Sequence, residues 1–455
     1  MSRIRLLLPG LMMVGGLLSS SSAFGWQSPS PGVTLGFEKN ATLNSDDDEF
    51  VLQDKTPAKP NEPTKPPTQK QTPPATPARP APRPTTPPAP VPPQPEQPQP
   101  QFNPFVNQQP NQPYLARLSR APDMFGDFLQ TQTALFTTDG QTAGGTQTLL
   151  HLPLAGGSQR FKNEHSRALP TDRVFGFYNH FENAVQSNAL TPGFQSTSAN
   201  IDRFVVGFEK SFLEGNASVE LRMPMSVPVS FSSPDANFQS GTAGNLVINL
   251  KGLLYSDESQ ALSLGLAINT PTGSDLSVAL PSAPNNTSFT IQNNAVHLIP
   301  FLAYQAAPTE DFFFNGFLQF DTPTNANNVQ IFSGPPAAKN TENRSLTDQT
   351  LLYLDTSFGY WLYRDPDAAF LTGLAGLLEL HYTTATNNAD IVASRNESVT
   401  FGTNTGRLDT LNMAFGVHTT LARSTIIRAA YITPLRESNH SFFDGEFTVA
   451  VIFRR

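Results

Sequence analysis

The sequence predicts an all-β protein: an antiparallel up-and-down transmembrane β-barrel of about twelve strands, preceded by a signal peptide and a disordered proline-rich region. Three observations predict it. From Thr171 onward, apolar residues recur at every second position over stretches of about ten residues, which is a strand period and not a helical one. The connections between these stretches alternate long and short, as they do when tight turns close one end of a membrane barrel and long loops the other. The chain closes on "GEFTVAVIFRR", where Phe447, Val449, Val451 and Phe453 share one face and an aromatic residue stands near the tip.

Composition narrows the class. Proline accounts for 42 of 455 residues and concentrates between Pro57 and Pro113. Charged residues are 15 %, against roughly 25 % in ordinary soluble domains. The net charge of −8 and the lack of a dense basic patch argue against a nucleic-acid partner. Cysteine is absent, which excludes disulfides, thiolate metal sites, a cysteine nucleophile and a lipidated-cysteine anchor.

Residues 1–25 read as a cleaved export signal: Arg3 and Arg5, an apolar run from Leu6 to Leu18, then small residues, with cleavage after Ala23 or Gly25. The run is shorter than the ~20 residues a spanning helix needs. Pro9, Gly10, Gly15 and Gly16 also interrupt it. Residues 26–54 form a polar, acidic N-terminus that includes Asp46, Asp47, Asp48 and Glu49, without the glycine and spacing of a calcium loop. Residues 55–114 are the proline-rich linker, too poor in apolar residues to bury a core. At ~3.1 Å per residue it could reach on the order of 180 Å. Lys55, Lys59, Lys65, Lys70, Arg79 and Arg83 along it suit an anionic cell-wall polymer. Residues 115–170 are a pre-barrel segment and a candidate plug, with a short helix expected in "LARLSRAPDMFGDFLQ" up to Pro122 and a strand or plug piece in "TQTLLHLPLAGG".

Residues 171–455 are expected to form the barrel. The strands fall near 173–182, 201–210, 217–226, 244–255, 261–269, 295–305, 311–321, 349–361, 368–382, 408–421, 424–433 and 446–454. Long connections span 183–200, 227–243, 270–294, 322–348 and 383–407, between short ones such as "SDESQ" and "APTE". The last strand should pair with the first, near Arg173–Phe181, and so remove the open edge. A β-sandwich would also alternate. Strands of about ten residues, however, suit a tilted span better than the usual ~5–6. The polar face is rich in Gly, Ala, Ser and Asn, as a narrow lumen requires. Tyr255, Tyr304, Tyr360, Trp361 and Tyr363 stand just before short turns, where an interfacial aromatic girdle would lie.

Face parity then sorts the side chains. Phe175, Phe177 and Phe181 are read as lipid-facing, like Phe204, Val206 and Phe208 on the next strand. Arg203, Glu209, Glu220, Arg222, Lys251, Asp355, Glu379, His381 and Arg428 are read as lumen-lining, because an Arg or Lys facing mid-bilayer costs about 2–4 kcal/mol. On the last strand Thr448 and Ala450 face inward, and Arg454 and Arg455 sit at the short-turn rim. These inward charges serve either a conducting pore or a ladder that stiffens the wall.

The signal peptide, the alternating strands and the aromatic-tipped last strand resemble Gram-negative-type outer-membrane β-barrel proteins. "LSRAPDMFGDF" and "LPLAGGSQRFKNEHSRALPTDRVFGFYNHFENA" give the chain a likeness to the transporter barrels named for the meta-pathway of phenol degradation, in a form common in planctomycetes. That resemblance covers residues 115–455 and departs where Arg454 and Arg455 follow Phe453. It implies a place in the cell outer membrane and partners in outer-membrane lipid and the barrel-assembly machinery. It also implies a channel or transporter for small solutes, hydrophobic or aromatic ones included, by passive passage through a narrow barrel. Two alternatives stand beside it. One is a non-conducting structural barrel anchored to the cell wall by the proline-rich arm. The other is a barrel hydrolase of phospholipase type, using His381 or His418 with a serine. No HExxH, P-loop, GxSxG or dinucleotide fingerprint occurs, so neither an enzyme nor a cofactor is expected.

Overall fold

The computed structural model describes residues 115–126, 129, 131–137, 147–154, 161–162, 165–189, 196–239, 243–283, 286–334, 339–395, 399–401, 407–422, 424–436 and 441–454. The signal peptide, acidic N-terminus and proline-rich linker expected over residues 1–114 lie outside them. Twelve long strands form a closed antiparallel barrel: β1 (Arg173–Ala189), β2 (Thr197–Phe212), β3 (Ala217–Ser226), β4 (Val247–Ser256), β5 (Gln260–Asn269), β6 (His297–Ala306), β7 (Phe312–Pro323), β8 (Leu351–Arg364), β9 (Leu371–Ala385), β10 (Asp409–Leu421), β11 (Thr425–Pro434) and β12 (Gly445–Arg454). Each strand pairs with its sequence neighbour, and β12 returns to β1 through pairs such as Phe447 with His180 and Val451 with Gly176. Closure satisfies the backbone groups that an open edge would leave unpaired. No helix among the described residues is long and apolar enough to cross a membrane.

The strands form because their alternation gives each face one job. On β2, Val206 and Phe208 are exposed while Arg203, Val205 and Glu209 are buried. On β5, Leu264 is exposed and Ser263 buried; on β10, Phe415 and Val417 are exposed and Asn412, Ala414 and His418 buried. The outer surface is therefore a band of Leu, Val and Phe, and the inner wall carries the polar and charged residues. On β12, Phe447 and Phe453 are exposed and Thr448 and Ala450 buried.

Strand β1 reverses the expected parity. Phe175, Phe177 and Phe181 are buried inside the barrel together with Arg173 and Asn179, while Val174 is half exposed outside. The reason is that wall cations and the pre-barrel segment pack against these rings from inside. The Arg173 guanidinium lies 4.9 Å from the Phe175 ring, Arg203 lies 4.9 Å from Phe181, and the His165 ring centroid is 4.4 Å from that of Phe177. Rings that would be costly against water are covered by protein. Trp361 corrects the aromatic girdle in the same way. Tyr360 and Tyr363 face outward, and Tyr255 and Tyr304 are partly buried, but Trp361 is turned inside. Trp361 keeps the inward parity of Asp355, Ser357 and Gly359, and the bulge that follows it, before Tyr363, leaves Leu362 and Tyr363 both outside.

The long connections are more ordered than their composition suggested. Three of them contribute paired short strands to a six-stranded sheet running from Asn340–Leu346 to Ser230–Ser232. A fourth supplies Val392–Ala393 and Val399–Phe401, which pair with each other, and Val399–Phe401 pairs on with Thr131–Thr137 of the pre-barrel hairpin Thr131–Thr137 and Gln147–Pro153. That hairpin pairs in turn with the far end of β1, His151 opposite Gln186. Phe231, Phe238, Val278, Phe289, Ile331 and Phe401 belong to the apolar cluster of this crown, with the Phe289 and Phe401 rings 4.3 Å apart.

Candidate functional site

The interior of the barrel is built from two layers, the wall and the pre-barrel segment that runs through it. A short helix, α1 (Leu115–Arg120), sits at the short-turn end, where Arg117 Nε meets Glu310 Oε1 at 3.0 Å. The chain then passes inside. Gln305 donates to the Leu118 carbonyl (3.1 Å) and Asn315 to the Pro122 carbonyl (3.1 Å). Beyond the crown hairpin, residues 161–162 and 165–170 lie inside the barrel again, where Ser263 Oγ donates to the Ala168 carbonyl at 2.7 Å. The two limbs hold each other: Met124 N–H donates to Ser166 O (3.0 Å) and His165 N–H to Phe125 O (3.2 Å). These limbs have irregular backbone, so wall side chains supply partners that a sheet ladder would otherwise provide.

At the short-turn end the electrostatics converge on Asp123, which is fully buried. Its carboxylate faces Arg173 Nη1 at 3.1 Å, Arg454 Nη2 at 2.5 Å and Arg167 Nη1 at 3.6 Å. Its backbone carbonyl accepts from Arg428, which also donates to the Met124 carbonyl at 3.1 Å and covers the Phe125 ring at 4.1 Å. Arg173 continues the network to Glu209 (2.7 Å) and Glu220 (2.6 Å), and Lys251 reaches Glu209 at 2.8 Å. Arg222 pairs with Glu220 and lies over Phe161 at 4.8 Å. Low-dielectric burial makes each of these pairs strong and each missing partner costly.

Further along, the wall presents acids. Glu379 accepts the backbone N–H of Phe125 from both oxygens at 2.9 Å and meets His381 Nε2 at 3.0 Å. Asp355 lies 3.3 Å from Lys162 Nζ and 3.2 Å from His381 Nδ1. The imidazole is thus bracketed by two carboxylates, which orient it from both ring nitrogens.

The nine candidates Arg203, Glu209, Glu220, Arg222, Lys251, Asp355, Glu379, His381 and Arg428 are all buried, and all project into this interior. Arg203 stands apart from the central network, donating to Asn179 Oδ1 at 3.2 Å. Sequence parity missed their counterparts. Asp123, Lys162, His165 and Arg167 lie on the threading segment, which has no strand period to read. Arg173 was read only as the edge of a strand, and Arg454 as a rim residue. At the mouth, outside the spanning strands, a hydrogen bond from Arg364 holds the Glu310 carboxyl below its usual range against weak desolvation, and the charges of Arg364 and Arg117 add to it.

No family model and no curated protein matches the chain. Among solved structures it is similar to an outer membrane channel from Pseudomonas putida F1 (9 % identity, 62 % of this chain and 95 % of that one, TM-score 0.39). It is also similar to the translocator domain of the autotransporter NalP from Neisseria meningitidis (12 %, 63 % and 88 %, 0.40). A third is the Pseudomonas putida toluene transporter TodX (11 %, 74 % and 92 %, 0.35). Likeness of this degree assigns no function to the chain.

Proposed function

We propose that the chain is an outer-membrane channel or transporter for small solutes, and that residues 115–170 close its lumen. The observation that carries this reading is the division of labour inside the barrel. The wall carries a charged lining, and what satisfies that lining is a separate segment with irregular backbone. A barrel built solely as an anchor could fill its centre with apolar side chains from the wall, at less electrostatic cost. Here the wall is one that water and solutes can replace the segment against. The apolar outer band supports the membrane placement, since lipid is the solvent such a band fits. Inward rings on β1 support passage of aromatic or hydrophobic solutes beside polar ones. Outer-membrane lipid, the assembly machinery and, through the proline-rich arm, a cell-wall polymer are the partners this reading requires.

The test is conductance across planar bilayers. Full-length protein should conduct weakly or in rare openings, and protein lacking residues 26–170 should conduct steadily. Folded protein silent in both forms would sink the channel reading. That result would favour the second reading, a structural barrel, which the dense salt-bridge packing of the interior also supports.

A further inference from the structure

The short-turn mouth holds a cavity of about 470 Å³ beside the filled lumen. Its lining brings together Arg120, Arg167, Arg364 and Arg454, the indole of Trp361 and one acid, Asp367. Three independent features make it a built site. The first is the indole. Trp361 is the last inward side chain of β8 before its bulge, and it lines the mouth cavity. Gly373 leaves it room: a Cβ there would stand 2.6 Å from Trp361 Cζ3. His418 meets the indole edge-on, with centroids 5.7 Å apart and planes at 89°. The second feature is charge. In and behind the lining, Arg167, Arg173, Arg222, Lys251 and Arg454 share the three carboxylates of Asp123, Glu209 and Glu220, and a sixth cation, Arg428, donates to the Asp123 backbone carbonyl. An excess of one sign beside low-dielectric walls focuses potential and concentrates ions of the other sign. The third feature is Arg120. It is exposed, it lines the cavity, and no ion pair to a described residue engages it.

We propose that this mouth is a binding site for small aromatic carboxylates, the ring against Trp361 and the carboxylate on Arg120 and its neighbouring guanidiniums. Arginine suits a carboxylate because its planar fork can donate two parallel hydrogen bonds. As a statement about the solute carried, this rests on the channel reading; as a binding site it does not require conduction.

The chain has two tryptophans, so a Trp26→Phe background leaves Trp361 as the fluorophore. Full-length Trp26→Phe protein in detergent is titrated with benzoate and with benzyl alcohol, its neutral counterpart. Benzoate should quench Trp361 saturably, and Arg120→Gln should weaken that binding by about tenfold, the scale of one charged hydrogen bond. Failure of benzoate to quench saturably, equal binding of benzyl alcohol, or unchanged affinity in Arg120→Gln would each overturn the site. Conductance of the same preparation is read separately. Quenching without conduction in either the full or the shortened chain leaves the site and removes the channel; conduction without quenching does the reverse.

Discussion

Arg454 Nη2 stands 2.5 Å from Asp123 Oδ1, which ties the end of the closing strand to a segment 331 positions earlier. The same guanidinium reaches the Ser119 carbonyl at 3.4 Å. The strand that closes the barrel therefore also clamps the segment that fills it. Assembly of the wall and docking of the segment are coupled at this ion pair, as they are at Arg173–Asp123 and Lys162–Asp355.

Asp123→Asn tests that coupling. It leaves Arg167, Arg173 and Arg454 without their shared carboxylate, and breaking a buried pair from one side costs about 3–5 kcal/mol. The barrel ladders do not depend on Asp123, so the loss should fall on the segment. Hydrogen exchange should accelerate over residues 118–126 while unboiled protein still migrates differently from boiled protein on a denaturing gel. Arg454→Gln should show a smaller effect of the same kind, because Arg167 and Arg173 still face the carboxylate. Unchanged exchange in Asp123→Asn would show that the ion pairs do not hold the segment.

The wall was legible from sequence because lipid-type alternation writes itself at period two. Leu264, Phe415 and Val417 declare one face, and Ser263, Asn412 and His418 the other. Strand β1 escaped because its large rings, Phe175, Phe177 and Phe181, point inside, while its outer face carries Val174, Gly176, Tyr178 and His180. Periodicity finds two faces but cannot say which is inner when the interior also packs rings. Trp361 shares its face with Asp355 and Ser357, so alternation alone points it inward; its place beside Tyr360 and Tyr363 before a short turn outweighed that parity in the girdle reading. Asp123 and Arg167 escaped for a third reason. Their segment pairs with side chains of many strands and has no period of its own. The crown escaped because its strands are two to seven residues long and lie in connections rich in the Asn and Ser that mark loops.

The outer band predicts an asymmetric response to charge. Leu264 is outward and 48 % exposed at mid-strand in β5. Leu264→Arg should cost about 2–4 kcal/mol in a bilayer. In urea unfolding from lipid vesicles the midpoint should fall markedly, whereas Leu264→Ile should move it little. Equal midpoints for Arg and Ile would remove lipid as the solvent of this face.

Phe453 is exposed on β12, opposite Val174 in the closing pair with β1. Its ring touches no core cluster, so Phe453→Ala should cost little once the barrel is formed. The expected effect is kinetic: slower insertion and a larger unfolded fraction in cells, with an unchanged unfolding midpoint for the protein that does insert. Normal assembly in cells would refute a role for this ring in insertion.

Acid should loosen α1 at the mouth. The folded Glu310 carboxyl titrates below its ordinary value of 4.5. A depressed carboxylate contributes fully above its unfolded value and loses that contribution as pH falls through the folded one. The link from Arg117 to Glu310 to Arg364 should hold from neutral pH down to the ordinary glutamate range and weaken below it. Exchange rates at residues 117–120, corrected for their intrinsic pH dependence, should rise only in that acid window. Glu310→Gln should abolish the step. A step that survives in Glu310→Gln belongs to another group.

Gly359 and Phe313 make a pair across β7 and β8, directly opposite in register. A Cβ on residue 359 would lie 2.0 Å from the ring carbons Cε2 and Cζ of Phe313, so the ring occupies the space a side chain would need. The ring is buried, with the Trp361 ring centroid 6.1 Å from its own, so it cannot step aside freely. Gly359→Ala should therefore destabilise the barrel by about 1–3 kcal/mol, the usual cost of overpacking. Phe313→Leu alone should also destabilise it, by vacating part of that space. Combined, the two should cost less than their sum, with a coupling of roughly 0.5–3 kcal/mol. Urea midpoints of the four proteins measure it. Additive losses would mean that Phe313 does not occupy the space over Gly359 in the folded barrel, and the inward packing that aims Trp361 at the mouth would have to be redrawn.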